Sequence, residues 1–410
     1  MKKILVIGYV WPEPDSSAAG GHMMSILRLF VQQKWLVEFA SPAQETQHMI
    51  DLANEGISSK SISLNCDSFD KYVSEYKPDI VLFDRFMMEE QFGWRVEKNC
   101  QKALKILDTE DLQCLRHARH QAVKSNRELT QADLFSDIAK REIAAILRCD
   151  ISLIISSYEM ELLVKTFNVD ASLLHYLPFM VDLTSCPKTT STFSQRKNFL
   201  SIGNFRHAPN WDMVLYLQKI WPLIRQQIPD AELHIYGSYP PPKATALNNQ
   251  GTGFLIKGWA EDVSLVMRET RVCLAPLRFG AGIKGKLLDA MLFQTPSVST
   301  SVGSEGMVEN ESWPGYIDDD IETFVDAAVK LYQDEQLWLS SQNKISDILY
   351  ARYDKNILGE NLIKKITDTE GSLEQHRLNN FTGAMLKHHS MMSTRYMSQW
   401  IAAKNLKDIK

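Results

Sequence analysis

The residues best suited to chemistry in this 410-residue chain lie at positions 277–290, where the sequence reads LRFGAGIKGKLLDA. Gly280 and Gly282 let backbone N–H groups approach an anion closely, and Lys284 adds a full positive charge. Apolar residues recur at helical spacing after the loop, so the loop opens a helix whose positive end favours anions. The segment therefore predicts a phosphate-binding loop.

Four predicted strands in the second half of the chain each run directly into a turn that contains glycine. We expect these strands at residues 199–203, 232–236, 254–257 and 272–275. The carboxyl ends of parallel strands meet at one edge of a sheet, where open α/β folds bind ligands. One such glycine is also explained by turn sterics, so the prediction depends on all four turns. The residues expected to line this crevice are Gly203, Asn204, Arg206, Gly237, Lys257, Gly258, Trp259, Gly280, Gly282 and Ile283.

Strand-like and helix-like patterns alternate along most of the chain, as in parallel sheets covered by helices. In the first half the strand-like runs lie at residues 3–8, 36–40, 57–64, 80–83, 104–107, 151–155 and 173–177. A polar stretch at 184–196 separates the halves. We predict an α/β fold of two Rossmann-like, doubly wound domains, at 1–190 and 197–345, which face each other across a cleft. Helices at 346–370 are expected to cross back to the first domain, and a C-terminal helical tail follows at 371–410.

Composition excludes several classes of protein. The formal net charge of -5 and the pI near 6.1 argue against binding nucleic acid through the overall field. The six cysteines are dispersed without a CxxC pair, so they predict reduced thiols and neither a disulfide framework nor a zinc site. No stretch approaches the roughly 18 apolar residues of a membrane span. We expect a cytoplasmic protein whose membrane contact, where there is one, is peripheral.

Residues 198–308 resemble the C-terminal domain of the retaining family 4 glycosyltransferases, GT-B enzymes that take a sugar from a nucleotide donor. The motifs that carry the resemblance are FLSIGNFRHAPN at 199–210, PDAELHIYG at 229–237, APL at 275–277 with the lysine loop, and GSEGM at 303–307. The first half is similar more loosely, through its first strand and through Gly20 and Gly21, which we predict to lie in the loop after that strand. Family members bring such a glycine pair against the donor diphosphate.

The resemblance implies roles for individual residues of the second domain. Arg206 and Lys284 would neutralise the leaving nucleoside diphosphate without a metal, because cations stabilise the charge that develops on its oxygens. The alternatives are a helix-capping surface arginine and a solvated lysine. Asp289 stands where the family has the second of two glutamates, which holds the ribose; the alternative is an ion pair with Lys286. Ala281 replaces the first glutamate, so the identity of the sugar is not inherited.

The acceptor side departs from the family, whose members often carry a histidine after the fifth strand of the first domain. This chain has DTED at 108–111 there. The departing phosphate can take the acceptor's proton, so no enzymic base is required. We expect Asp108 and Glu110, with Asp84 and Arg85 from the preceding strand, to bind acceptor hydroxyls. The alternatives are helix N-capping by Asp108 or the threonine after it, and a structural ion pair between Asp84 and Arg85.

Two other signals point away from metal and dinucleotide chemistry. The aspartates at 318–320 resemble the metal-binding motif of the other glycosyltransferase architecture, but they precede a helical pattern at 321–331 and predict N-capping. The turn after the first strand lacks the GxGxxG fingerprint of dinucleotide-binding domains, because Gly8 and Gly20 lie too far apart. We therefore expect no metal and no cofactor, with a nucleotide sugar as co-substrate.

The tail at 371–410 is basic, and its apolar residues recur at helical spacing. They are Phe381, Met385, Met392, Tyr396 and Trp400. The pattern predicts a helix whose apolar stripe packs on the protein, on a second subunit or back across the domains. The alternative is a surface that docks something anionic, such as a lipid phosphate, a membrane or RNA.

The resemblance thus implies transfer of a sugar, such as a hexose, from a nucleoside diphosphate to a hydroxyl acceptor on a glycan, a lipid or another molecule, with retention of configuration. Two alternatives stay open. One is a nucleotide-sugar epimerase or sugar phosphorylase of the same fold. The other is a catalytically degenerate protein that binds a nucleotide or glycan, as Ala281 and the tail suggest.

Overall fold

Two parallel β-sheets organise the chain within residues 1–185, 191–309 and 311–407, which the computed structural model describes. The strands are β1 (Lys3–Ile7), β2 (Leu36–Ser41), β3 (Ser58–Ser61), β4 (Ile80–Asp84), β5 (Leu104–Asp108), β6 (Ile151–Ile154), β7 (Leu174–Tyr176), β8 (Lys197–Ile202), β9 (Leu233–Tyr236), β10 (Phe254–Gly258), β11 (Thr270–Ala275), β12 (Ser297–Ser299) and β13 (Gly315–Ile317). The first sheet has the order β3-β2-β1-β4-β5-β6-β7 and the second β10-β9-β8-β11-β12-β13. Both orders are those of doubly wound domains.

Helices connect the strands and cover the sheets. They are α1 (Ala18–Gln32), α2 (Ser68–Tyr76), α3 (Phe86–Asn99), α4 (Gln113–Lys124), α5 (Gln131–Leu134), α6 (Asp137–Arg148), α7 (Ser157–Lys165), α8 (Ala208–Gln227), α9 (Pro242–Thr245), α10 (Val263–Glu269), α11 (Gly285–Leu292), α12 (Ser301–Ser304), α13 (Ile321–Gln333), α14 (Glu335–Asn343), α15 (Ile345–Arg352), α16 (Lys355–Gly371), α17 (Leu373–Asn379) and α18 (Phe381–Lys407). Successive residues of β1 belong to different cores, since Leu5 packs with α3 residues and Ile4 with α1 residues. Buried apolar layers therefore lie on both faces of the first sheet.

The predicted α/β class with two Rossmann-like domains is confirmed by these sheets. Continuous apolar runs such as residues 3–8 predict strands correctly because a parallel strand is buried on both faces. The strand β13 was not predicted from the sequence, since its three residues are too few to show a pattern. The five cysteines inside the described ranges are free thiols. Among the helices that the structure describes, none combines the length and apolar character needed to cross a bilayer.

The chain passes between the two domains twice, and the two connections lie side by side. Residues 186–190 of the predicted boundary at 184–196 lie outside the described residues. Val181 of the first connection donates its N–H to the carbonyl of Tyr353 at 2.8 Å and accepts from Lys355 N at 3.0 Å. Beyond this point α16 packs on the first domain, where Leu362 and Ile366 join the core around α1.

The tail folds into α17 and α18, and α18 packs against α3 and α6 of the first domain. Arg377 on α17 holds Asp150 through two hydrogen bonds of 2.8 and 2.7 Å. The expectation that the apolar stripe packs on this chain is wrong, because its members are exposed: Phe381, Met385, Met392, Tyr396 and Trp400. The buried face of α18 is small and polar instead, with Gly383 and Ser398 on it.

Candidate active site

The lysine loop connects β11 to α11, and Lys284 is the N-cap residue of that helix. The Lys284 side chain is buried, and its Nζ donates to the carbonyl of Gly282 at 2.7 Å. Burial lowers the pKa of Lys284 to about 8, so the ammonium remains the main form at neutral pH. Lys284 is therefore not the solvated lysine of the alternative interpretation. Ile283 beside it packs in the core of the second domain.

The first domain holds the lysine loop from the other side of the cleft. Gly282 adopts φ +63° and donates its N–H to Glu159 Oε1 at 2.8 Å. The carbonyl of Gly280 accepts from Arg119 at 2.9 Å, and Arg119 also pairs with both carboxylate oxygens of Glu305 at 2.8 and 2.7 Å. The Gly282 amide, which the sequence assigns to an anion, already has an acceptor in this structure.

Ala281 is also part of this interdomain contact. It is buried and packs in a core of the first domain, although it belongs to the second. At this position a methyl group therefore supports packing between the domains.

Arg206 lies in the turn between β8 and α8 with an exposed side chain. Its N–H donates to Asn204 Oδ1 at 2.8 Å, and its guanidinium lies 3.6 Å from the centroid of the Tyr239 ring. The next helix begins at Ala208 with His207 as its N-cap residue, so Arg206 is not the capping residue of the alternative interpretation. The aromatic ring fixes a free cation in a turn at the cleft.

A cavity of about 230 Å³ opens between the domains beside Arg206. Among the described residues it brings together Gly20, Asp84, Arg85, Glu110, Asn204, Arg206 and Tyr239. Lys284 is absent from the described lining, so the structure does not place the two predicted cations in one cavity. Sequence reasoning missed Tyr239, whose left-handed φ of +56° no local motif indicates.

Gly20 and Gly21 lie inside α1 and not in the loop where the sequence predicts them. The helix begins at Ala18, and the Ser17 hydroxyl caps it by accepting from Gly20 N at 3.0 Å. A Cβ on Gly20 would lie 2.4 Å from the carbonyl oxygen of Glu13, so glycine is required for close packing of the preceding loop. Gly20 thus lets the N-terminus of α1 pack closely against this loop at the interdomain cleft, whereas a Cβ on Gly21 would meet no atom closer than 4.0 Å.

The glycine turns of the second domain pack tightly on one another. Gly237 N donates to Gly258 O at 2.7 Å, and a Cβ on Gly237 would lie 2.0 Å from Gly203 O. Lys257 is exposed at the end of β10. Beside it Trp259 stacks on His48 of the first domain, with ring centroids 4.5 Å apart.

Asp289 projects from α11 and is partly buried. Burial raises the pKa of Asp289 to about 7. The alternative ion pair with Lys286 is wrong, because Lys286 Nζ donates to Asn210 Oδ1 at 2.5 Å instead. Asp289 therefore keeps its capacity to accept hydrogen bonds from hydroxyls.

Buried acidic groups crowd the carboxyl ends of β4 and β5. Asp84 Oδ2 accepts from Tyr9 N at 2.9 Å, and its Oδ1 lies 3.5 Å from Arg85 Nε. Asp108 Oδ1 accepts from Glu110 N at 3.2 Å, whereas Asp108 Oδ2 finds no hydrogen-bonding partner within the described part of the chain. Burial and the charge of Asp84 raise the pKa of Asp108 to about 7, and burial also raises that of Glu110.

A histidine from another element reaches this acidic corner. His22 of α1 lies with its Nε2 3.8 Å from Asp108 Oδ1, and burial lowers the pKa of His22 to about 4. His22 could not be predicted as a site residue, because a histidine on the apolar face of a helix is usually only a core residue. The corner thus contains a neutral imidazole as well as carboxyl groups.

The helix-capping alternative for this corner is wrong. The helix α4 begins at Gln113, and the buried Glu142 accepts from Gln113 N and Cys114 N, both at 2.9 Å. Glu159 accepts from Leu112 N at 3.0 Å. Two remote carboxyl groups therefore cap the helix, which leaves Asp108 free for another role.

The acidic run at 318–320 caps α13, as the sequence predicts. Asp320 accepts from Glu322 N at 2.9 Å and from Thr323 N at 3.2 Å. Within the described ranges no group of three or more His, Cys, Asp or Glu side chains is arranged to hold a metal ion.

Two Rossmann-like domains that face each other across a cleft define the GT-B fold, and solved structures with this fold superpose on the chain. Alr3699/HepE of Anabaena, solved with UDP-glucose, has a TM-score of 0.68 at 12% identity, covering 90% of this chain and 100% of that one. Sucrose-phosphate synthase of Thermosynechococcus elongatus has a TM-score of 0.67 at 14% identity, covering 91% and 100%. At these identities the likeness shows the fold alone.

The second domain also matches a family by sequence. Residues 196–334 match the family described as glycosyl transferases group 1. An uncharacterised 44.6 kDa protein in the cps region of Klebsiella pneumoniae is 32% identical over 121 residues, or 28% of this chain. The match spans 31% of that relative's length. The family match therefore covers the second domain and leaves the first domain outside it.

Proposed function

We propose that this protein transfers a sugar from a nucleoside diphosphate sugar to a hydroxyl acceptor, with retention of configuration and without a metal. The interdomain cavity carries the proposal, because the cation Arg206 lines it. Arg206 belongs to the segment 196–334, which matches glycosyl transferases group 1. The opposite wall offers the carboxyl groups of Asp84 and Glu110. A cation on one side and hydrogen-bond acceptors on the other suit a diphosphate and a polyhydroxyl substrate.

The leaving diphosphate would be stabilised by groups that are charged before it binds. The Arg206 guanidinium rests on Tyr239, so its position is set in advance. Lys284 lies at the start of α11 outside the described cavity lining, so it would have to turn away from the Gly282 carbonyl to add a second cation. Preorganised cations stabilise the charge that develops as the bond to the sugar breaks. Asp289 would accept the ribose hydroxyls, and the start of α1 at Gly20 would face the phosphates.

The acceptor would bind at the acidic corner. Asp84 Oδ1 and Asp108 Oδ2 are buried and, inside the described ranges, accept no hydrogen bond from the protein. A hydroxyl donor would give Asp108 Oδ2 the hydrogen bond that it lacks, and would give Asp84 Oδ1 one in addition to its contact with Arg85. The departing phosphate takes the acceptor's proton in this scheme, so the corner orients the hydroxyl.

Calorimetry with UDP and GDP, followed by a transfer assay with a set of sugar acceptors, tests the proposal. Arg206→Ala removes hydrogen bonds to a charged group, which contribute about 1.5–3 kcal/mol, so Kd should rise roughly ten- to a hundred-fold. Arg278→Ala is the matched control, because Arg278 belongs to the same domain and already pairs with Asp212 at 2.9 Å. Equal diphosphate affinity of the Arg206 variant and the wild type would refute the assignment.

The assay also separates the alternatives. Turnover of a nucleotide sugar without an acceptor would favour an epimerase, and release of a sugar phosphate would favour a phosphorylase. Tight diphosphate binding with no turnover would favour a binding protein. The observation that favours this alternative is Ala281, which packs in the core at the position of the family's first glutamate. The anomeric configuration of the product, read by NMR, tests retention.

A further inference from the structure

The helix α18 presents a row of apolar side chains, the apolar stripe, that nothing in the described chain covers. The exposed fractions are 70% for Phe381, 45% for Met385, 39% for Met392, 58% for Tyr396 and 62% for Trp400. At 3.6 residues per turn these five positions fall within about a third of the helix circumference. Exposed aromatic and methionine side chains in one row mark an interaction surface.

The orientation of this stripe is fixed by the opposite face of α18. Arg95 of α3 is buried and donates to Ser398 Oγ at 3.1 Å. A Cβ on Gly383 would lie 2.1 Å from Leu147 O, so the helix touches the backbone of α6 there. A polar bond and a close backbone contact therefore hold the helix, and the apolar face is turned outward.

The charge of the segment narrows the choice of partner. Residues 375–407 contain no aspartate or glutamate. Lys404 is exposed beside Trp400. Arg377 is already bound to Asp150, and Lys387 is partly buried against the first domain. The whole chain has a net charge of -5, so this cationic segment stands apart from the rest. A second copy of the helix would bring like charges together, and RNA would leave the apolar row in water. An anionic bilayer satisfies both features, since its headgroups attract cations and its interface accepts aromatic rings.

We propose that α18 docks this protein on anionic lipid bilayers, with the apolar stripe in the interfacial region. Lys404, whose Nζ lies 5.7 Å from the Trp400 ring centroid, would reach the lipid phosphates beside that ring. The helix lies on α3, which begins directly after Arg85. The bilayer would thus contact the same domain that carries the acidic corner.

Co-sedimentation of the full chain with vesicles tests this proposal. The wild type should bind vesicles of equal parts phosphatidylglycerol and phosphatidylcholine, and bind pure phosphatidylcholine vesicles weakly. The double substitution Tyr396→Ser and Trp400→Ser should weaken partitioning about ten-fold or more, because binding scales with buried apolar area. The matched control is Tyr350→Ser, since Tyr350 is also 62% exposed but lies on α15. Lys404→Glu should weaken binding to the anionic vesicles, and more so at low salt.

Two results would overturn the proposal. One is sedimentation of the doubly substituted protein with anionic vesicles to the same extent as the wild type. The other is a wild-type dimer by light scattering that the double substitution converts to a monomer, with no vesicle binding by either protein. The altered side chains are exposed, so an unchanged thermal melting curve is expected and confirms that loss of binding is not loss of folding.

Discussion

Glu159 offers a sharp test of how the two domains share one carboxyl group. Its side chain is fully buried on α7, and its Oε1 accepts from Leu112 N at 3.0 Å and from Gly282 N at 2.8 Å. The first amide opens α4 in the first domain, and the second belongs to the lysine loop. Glu159→Ala therefore removes a helix cap and the support of the loop together.

The expected loss of stability in Glu159→Ala follows from the two amides that lose their acceptor. Each buried N–H that loses its acceptor costs about 1–3 kcal/mol, so Glu159→Ala should lower the free energy of unfolding by about 2–6 kcal/mol. Glu159→Gln keeps one carbonyl oxygen where Oε1 lies and nearly the same shape. We expect that variant to stay within about 1 kcal/mol of the wild type near pH 6.

The pH dependence distinguishes the carboxyl group from its amide analogue. Burial, and after it the charge of Asp111, raises the pKa of Glu159 to about 8 in the folded protein, against about 4.3 in the unfolded chain. A raised pKa means that the folded state binds the extra proton, so this contribution to stability is complete below about pH 4.3 and is lost as pH rises through about 8. Glutamine has no proton to lose, so the stability of Glu159→Gln relative to wild type should improve between about pH 5 and pH 9.

Urea unfolding followed by tryptophan fluorescence at several pH values measures both effects. Calorimetry with the nucleoside diphosphate then shows whether the alanine variant, with its loop unsupported, binds the donor more weakly. The reasoning would be refuted by an alanine variant as stable as the glutamine variant, or by parallel pH profiles for glutamine and wild type.

Two further predictions concern the same loop. Gly282→Ala should lower the free energy of unfolding in urea by about 1–2 kcal/mol or more, because φ is +63° and a Cβ would lie 2.9 Å from Asp111 Cβ. Gly280→Ala is the control and should be tolerated, because its Cβ would meet its nearest neighbour at 3.5 Å. Equal losses of stability in the two variants would contradict this prediction. Arg119→Lys loses the two hydrogen bonds to Glu305 by which Arg119 positions the lysine loop. The Kd for the nucleoside diphosphate, measured by calorimetry, should therefore rise severalfold. An unchanged Kd would show that this ion pair does not position the loop.

The parts of the fold that follow from local physics could be predicted from the sequence. A strand buried on both faces must be apolar throughout, so β1 and β4 can be predicted from the sequence. The turns after the strands of the second domain carry glycines because their backbones pack closely, as Gly237 does on Gly203. Both signals depend only on residues close together in sequence.

The candidate site was harder to predict because its decisive contacts join distant residues. Glu142 caps a helix that begins 29 residues earlier, and Glu159 reaches an amide 123 residues later. No local pattern shows which buried amide a remote carboxyl group will satisfy. For the tail, helical spacing indicated the stripe but not its direction, because Arg95 and a backbone contact at Gly383 decide which face is buried.

The adjacent connections between the domains have a mechanical consequence. Val181 is hydrogen-bonded to Tyr353 and Lys355, so both crossings behave as one joint. Two connecting segments that are hydrogen-bonded to each other resist sliding and twisting of the domains. Rotation of one domain about a single axis through the connections then remains as the motion of lowest cost. Opening about that axis would pull Arg119 away from Glu305 and Gly282 away from Glu159 while the joint at Val181 stays intact.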